Sequence, residues 1–124
     1  MKSVSKVLVA TTLAMSSMAY ANQDVTLKLD MYINDDLVKP ITLKGQVAES
    51  FTAQIDGEVK YDIVPTIENG SVKLSTIYYT YNDGEFVQKE KPVLVTAANK
   101  AATIEIGTEG VKVYKIQITP QTKI

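Results

Sequence analysis

Apolar and polar positions along this chain recur with a period of two. Val25, Leu27, Leu29, Met31 and Ile33 alternate with Thr26, Lys28, Asp30, Tyr32 and Asn34. Side chains on a strand point to opposite faces in turn, so this alternation predicts a half-buried strand. Asn34-Asp35-Asp36 supplies a turn. A weaker strand follows over Leu37–Lys44, where Pro40 lacks a ladder donor and marks an edge or a bulge. After a loop at Gly45–Glu49, Phe51, Ala53 and Ile55 alternate again. Asp56-Gly57 is a two-residue hairpin signal, and Val59, Tyr61 and Ile63 continue beyond it. Pro65 is expected to interrupt that strand before Ile67.

Asn69-Gly70 is the next hairpin signal. In Ser71–Asn82, Val72 and Leu74 fall on one phase while Ile77, Tyr79 and Tyr81 fall on the other. That change predicts either a bulge near Ser75-Thr76 or burial on both faces. Asn82-Asp83-Gly84 turns the chain into a long strand over Glu85–Thr96, which Pro92 should place at an edge or kink. Ala102, Ile104 and Ile106 alternate with Thr103 and Glu105. Gly107–Gly110 makes a turn, Val111–Thr119 forms the last strand, and Pro120 is expected to end it. No stretch of useful length carries a helical period. The expectation is an all-β fold, an antiparallel β-sandwich or small barrel of about seven to eight strands.

The first 21 residues stand apart. Lys2 and Lys6 precede a short apolar run, Val7–Met15, and Ala19-Tyr20-Ala21 has the small-x-small form of a cleavage site. These are the parts of a secretory signal peptide, with Asn22 as the new first residue. The run falls short of the roughly 20 apolar residues needed to cross a bilayer. The division expected is therefore a leader, 1–21, and one all-β domain, 22–124. Periplasmic or secreted location follows, with no stable membrane anchor.

Composition narrows the chemistry. The chain has no Cys and no His, and its 13 basic residues are all Lys against 14 acidic ones. Losing Lys2 and Lys6 with the leader takes the net charge from −1 to −3. A duplex nucleic-acid binder shows a basic excess and uses Arg on base edges, so no nucleic-acid partner is expected. Thiolate nucleophiles, imidazole bases and the usual zinc and copper ligands are all missing. Disulfides cannot form, so core packing and strand pairing must hold this small domain.

Acidic residues gather at turns: Asp56, Glu58 and Asp62; Asp83 and Glu85; Asp35 and Asp36. None has the regular spacing of a calcium loop, and turn formation accounts for them. Asn69-Gly70-Ser71 has the form of a glycosylation sequon and reads more simply as a hairpin turn. No cofactor, metal ligand set or catalytic set is expected. Tyrosines are the conspicuous side chains: Tyr32, Tyr61, Tyr78, Tyr79, Tyr81 and Tyr114. Tyr79 and Tyr81 share a phase and can present two rings on one sheet face, so they are the candidate partner-binding residues.

Pro92-Val93-Leu94-Val95-Thr96, followed by Asn99, Ala102, Ile104 and Gly107, resembles a strand-turn-strand segment of the bacterial secretin family. Those outer-membrane channels often carry P-x-[IL]-[LV]-T-x-x-N-x-x-A-x-I-x-x-G. The resemblance covers residues 92–107 alone. It implies a β-hairpin there and a link to envelope machinery, and no functional residue carries over.

Taken together, these features point to a small exported non-enzymatic protein that binds another envelope or secreted protein, as an accessory or an inhibitor. The alternative is a small-ligand or glycan-binding module using the tyrosine-rich face. A third class is a pilus-like subunit assembling by strand addition at an open edge.

Overall fold

A computed structural model describes residues 23–107 and 112–123. The leader, its cleavage site, residues 108–110 of the expected Gly107–Gly110 turn and the first residue of the expected Val111–Thr119 strand lie outside the described residues. Nine strands form among those described: β1 (Asp24–Ile33), β2 (Asp36–Gln46), β3 (Phe51–Ile55), β4 (Val59–Glu68), β5 (Ser71–Asn82), β6 (Glu85–Glu90), β7 (Val93–Thr96), β8 (Ala102–Gly107) and β9 (Val113–Gln121). They make two antiparallel sheets. The first has the order β2-β1-β9-β8. The second has the order β3-β4-β5-β6, with β7 also paired to β5. This is a β-sandwich, as the alternation predicts.

The core comes from the inward phase of each strand. Val25, Leu27, Leu29 and Met31 of β1, with Ile116 and Ile118 of β9 and Ile104 of β8, supply one layer. Phe51, Ala53, Val59, Tyr61, Ile63, Val72, Leu74 and Tyr78 supply the other. Burying a large apolar side chain is worth about 1.5–3 kcal/mol, and this doubled layer does the work that disulfides do in many small exported domains.

Prolines explain where strands stop and where they continue. A residue in extended conformation turns its N–H and C=O to the same side, so the carbonyl shows which side lacks a donor. Pro92 accepts from the Thr76 amide of β5 at 3.0 Å. The donor it lacks is therefore one the ladder needs, and the expected Glu85–Thr96 strand is split into β6 and β7. Pro65 and Pro120 do not interrupt their strands, contrary to the sequence expectation. Pro65 lies inside β4 opposite Leu74, and Pro120 lies inside β9 opposite Leu27. Both are buried. Pro65 accepts from the Ala48 amide and Pro120 from the Asn99 amide, each at 2.7 Å. Each carbonyl faces the side where the neighbouring strand has already ended, so the absent N–H removes no ladder bond.

Ala48 and Asn99 occupy the two places where the chain leaves one sheet for the other. Both have positive φ, 75° and 66°. The crossovers from β2 to β3 and from β7 to β8 thus share one device, a left-handed residue donating to a proline carbonyl across the corner. For the same reason Pro92–Gly107 is not the hairpin that the secretin resemblance implies. It is strand-turn-strand, but β7 pairs with β5 and β8 pairs with β9 in the other sheet. At its end, a Cβ on Gly107 would collide with the Lys112 carbonyl and lie 2.7 Å from Val113 Cα.

The phase change in β5 also resolves. Its register with β4 runs without a shift from Val59↔Thr80 to Glu68↔Ser71. There is no bulge near Ser75-Thr76, and burial on both faces is not realised either: from Ile77 on, the outward phase is apolar but half-buried to exposed. Thr76 takes an inward place and is buried, while Ile77, Tyr79 and Tyr81 face outward. The irregularity lies on the other flank, between Tyr78 and Tyr79, where Lys89 is the extra residue of β6.

Candidate functional site

The outer face of the second sheet carries the candidate residues. The pairings of β3, β4, β5 and β6 set Gln54, Lys60, Tyr79 and Gln88 in one row across it. The row beside it toward the β5–β6 turn pairs Tyr81 with Phe86. In the opposite direction, Thr52, Asp62 and Ile77 form a row. Lys91 extends this row, because the register is unshifted from Tyr78↔Glu90 to Ser75↔Val93. Next come Val64, Ser75 and Val93.

Tyr79 and Tyr81 do share this face, but their environments differ. Tyr79 is half-buried, its hydroxyl donates to Asp62 Oδ2 at 2.9 Å, and the Lys60 ammonium lies 4.2 Å from its ring centroid. The Asp62 carboxylate beside it, accepting that bond, holds the phenol pKa above its usual value. Thr52 Oγ1 donates to the other Asp62 oxygen at 2.7 Å. Tyr81 is 43% exposed and meets Phe86 edge-on, with centroids 5.3 Å apart. Tyr79 is thus fixed and capped, and Tyr81 with Phe86 is the freer aromatic pair.

Sequence reading missed the apolar middle of this face. Ser50, Asp62, Val64, Ser75, Ile77, Lys91 and Val93 line a shallow concavity of about 380 Å³. Val93 and Val95 beside it are 55% and 67% exposed. The signal was present in the sequence: an apolar Val93-Leu94-Val95 run has both phases apolar, and only one can reach the core. Identifying the outward phase requires the pairing to β5.

Tyr61, Tyr78 and Tyr114 gather at one end of the sandwich, while Tyr32 lies on the outward phase of β1 with Lys115 Nζ 4.5 Å from its ring centroid. Tyr61 and Tyr78 are buried with ring centroids 5.6 Å apart. Burial raises the Tyr61 phenol pKa, and its hydroxyl has no hydrogen-bond partner among the described residues. Tyr114 donates to Glu58 Oε1 at 2.7 Å, and Lys112 Nζ lies 2.9 Å from both Glu58 oxygens. Hydrogen bonds from Tyr114 first and Lys112 second hold the Glu58 carboxyl pKa below its ordinary value. Burial, and then the bond to Glu58, push the Tyr114 phenol up.

The acidic turn cluster does not converge. Glu58 faces Lys112 and Tyr114, Asp62 faces Thr52 and Tyr79, and Asp56 accepts from Gln54 Nε2 at 2.8 Å. Among the described residues no three carboxylates are grouped to hold a metal ion. Three of the four strand edges are blunted, those at β2, β3 and β6–β7, and β8 is the fourth edge. Pro40 lies on β2, along with an unpaired Val38 at its register shift. Lys89 and Pro92 break the β6–β7 edge. At β3, Lys39 Nζ donates to the Gln54 carbonyl at 2.8 Å. Such devices disfavour pairing with another strand. No family model, curated protein or solved structure matches the chain.

Proposed function

We propose that this is an exported, non-enzymatic β-sandwich that binds another envelope or secreted protein through the outer face of its second sheet. The observation that carries this reading is the apolar concavity at Val64, Ile77 and Val93, with the exposed Val95 beside it and the exposed Tyr81 two rows from Ile77 on the same face. Solvated sheet faces ordinarily present polar residues, and a contiguous apolar patch rimmed by charge is characteristic of an interaction site. The glycan alternative is weaker because Lys60 covers the Tyr79 ring and Asp62 takes its hydroxyl, so the two tyrosines do not offer a pair of free stacking platforms. Assembly by strand addition is disfavoured at the three blunted edges, which leaves only β8 for it. The charge pattern and the signal-peptide features of residues 1–21 support a periplasmic or secreted setting.

Tyr81→Ala tests the reading. Capture from an envelope extract should fall at least about tenfold, as expected for an aromatic anchor worth about 2 kcal/mol. The melting temperature should change little, because Tyr81 lies outside the core. Undiminished capture by the folded variant, or a loss of capture that only follows a loss of folding, would overturn the assignment of this face.

A further inference from the structure

The outer face of the second sheet has a symmetry of its own. β5 runs along its midline and contributes Ser75 and Ile77. On one flank, β4 contributes Asp62 opposite Ile77 and Val64 opposite Ser75. On the other flank the same two rows hold Lys91 and Val93. Opposite charges therefore stand at equal distances from the midline, about 5 Å to each side, and so do two valines. Turning one copy by a half rotation about the β5 axis, and laying it on another, puts each Asp62 over Lys91 of the second copy. The same rotation puts Val64 over Val93.

We propose that this face docks a second copy of the chain, two-fold about β5, with Asp62 of each copy meeting Lys91 of the other. The proposal rests on the reading of this face as an interface and adds a second copy of the chain as an occupant that competes there with the other protein. Isologous contact requires a surface complementary to itself, and this one is so in charge and in apolar content. The other charges on the face are compatible. Lys60 lies over the Tyr79 ring. Lys73 lies on the midline one row beyond Ser75, where the rotation brings it toward Lys73 of the second copy, and each is paired with its own Glu68 at 3.4 Å. Asp62 accepts from Thr52 and Tyr79, and an ionised carboxylate has about four acceptor sites, so a lysine can still join it. Among the described residues Lys91 makes no ion pair. The overlap, three strands wide and four rows long, covers about 400 Å² per copy, the small end of weak, transient association.

Sedimentation of the exported chain from about 10 μM to about 1 mM tests this, since weak interfaces fall in that range. The expected result is concentration-dependent dimerisation. D62K and K91D should each weaken it at least about tenfold by setting like charges face to face. An equimolar mixture of the two variants should recover dimers, as should the double variant. A monomer up to the highest concentration, unchanged association in either single variant, or a mixture that fails to recover would overturn the proposal. Should D62K melt early through loss of its Thr52 and Tyr79 bonds, V93K serves instead. It places a charge against Val64 of the second copy from an exposed position, and undiminished association would overturn the proposal. Capture of an envelope partner by a strictly monomeric chain would leave the functional reading standing while removing this inference.

Discussion

Tyr61 shows how one atom can work against a well-filled core. Its ring is buried and packs on Tyr78, while its hydroxyl has no partner among the described residues. An unsatisfied buried hydroxyl costs about 1–3 kcal/mol. Tyr61→Phe should therefore leave stability unchanged or raise it by about 1 kcal/mol, whereas Tyr61→Ala should cost at least about 3 kcal/mol. Denaturant melts of the two variants check this ordering, and a marked loss in the phenylalanine variant would point to a bound water at the hydroxyl. Glu58 gives the opposite case, a carboxylate whose ionised form is held by Tyr114 and Lys112. Its folded pKa is depressed. It therefore contributes stability above its unfolded value of about 4.3, and loses that contribution as pH falls through the lower folded value. Melting temperature measured across the acid range should drop less steeply in Glu58→Gln than in the parent. Identical slopes would remove Glu58 from the acid transition.

At the scale of the strand, alternation fixes which residue is core. On β8, Ile104 is buried and Ile106 packs against the core, while Thr103 and Glu105 are exposed. Ile104→Ala should cost about 2–5 kcal/mol and Thr103→Ala under about 1 kcal/mol. The reverse order in urea melts would shift this strand's register by one residue. Strand existence and inward phase were legible because period-two burial leaves a direct trace, from Val25 through Ile33 and again at Val59, Tyr61 and Ile63. Pro65 and Pro120 were not legible. Whether a missing donor matters depends on which side its partner strand has ended, and that is a property of the neighbour. The sheet assignment of β7 and β8 was hidden for a similar reason. A tight turn looks alike in sequence whether it joins two strands of one sheet or carries the chain across the core. The candidate site was half legible: Tyr79 and Tyr81 were named, but Ile77, Val64 and Val93 come together only through long-range pairing.

For the whole molecule, the two sheets differ in what they ask of the chain. Strands β3 to β7 are consecutive, and each pairs with a neighbour near in sequence. The first sheet joins β1 to β9, with Thr26 opposite Gln121. Closing so long a loop carries an entropic cost that local hairpins avoid. Among the described residues, six of the sixteen buried core residues belong to this late pairing, including Ile116 and Ile118. A chain ending before β9 should leave β1 unpaired on one side and the Leu27–Leu29 face uncovered, and it should be cut rapidly by protease under conditions where the full chain resists. Resistance in the shortened chain would mean that the second sheet and the β1–β2 hairpin fold without the last strand. The pairing of β1 with β9 is thus a timer. A chain delivered from its N-terminus, by a ribosome or through a pore, holds β1 waiting while seven further strands emerge ahead of its partner. The sandwich is therefore unfinished until β9 has followed them.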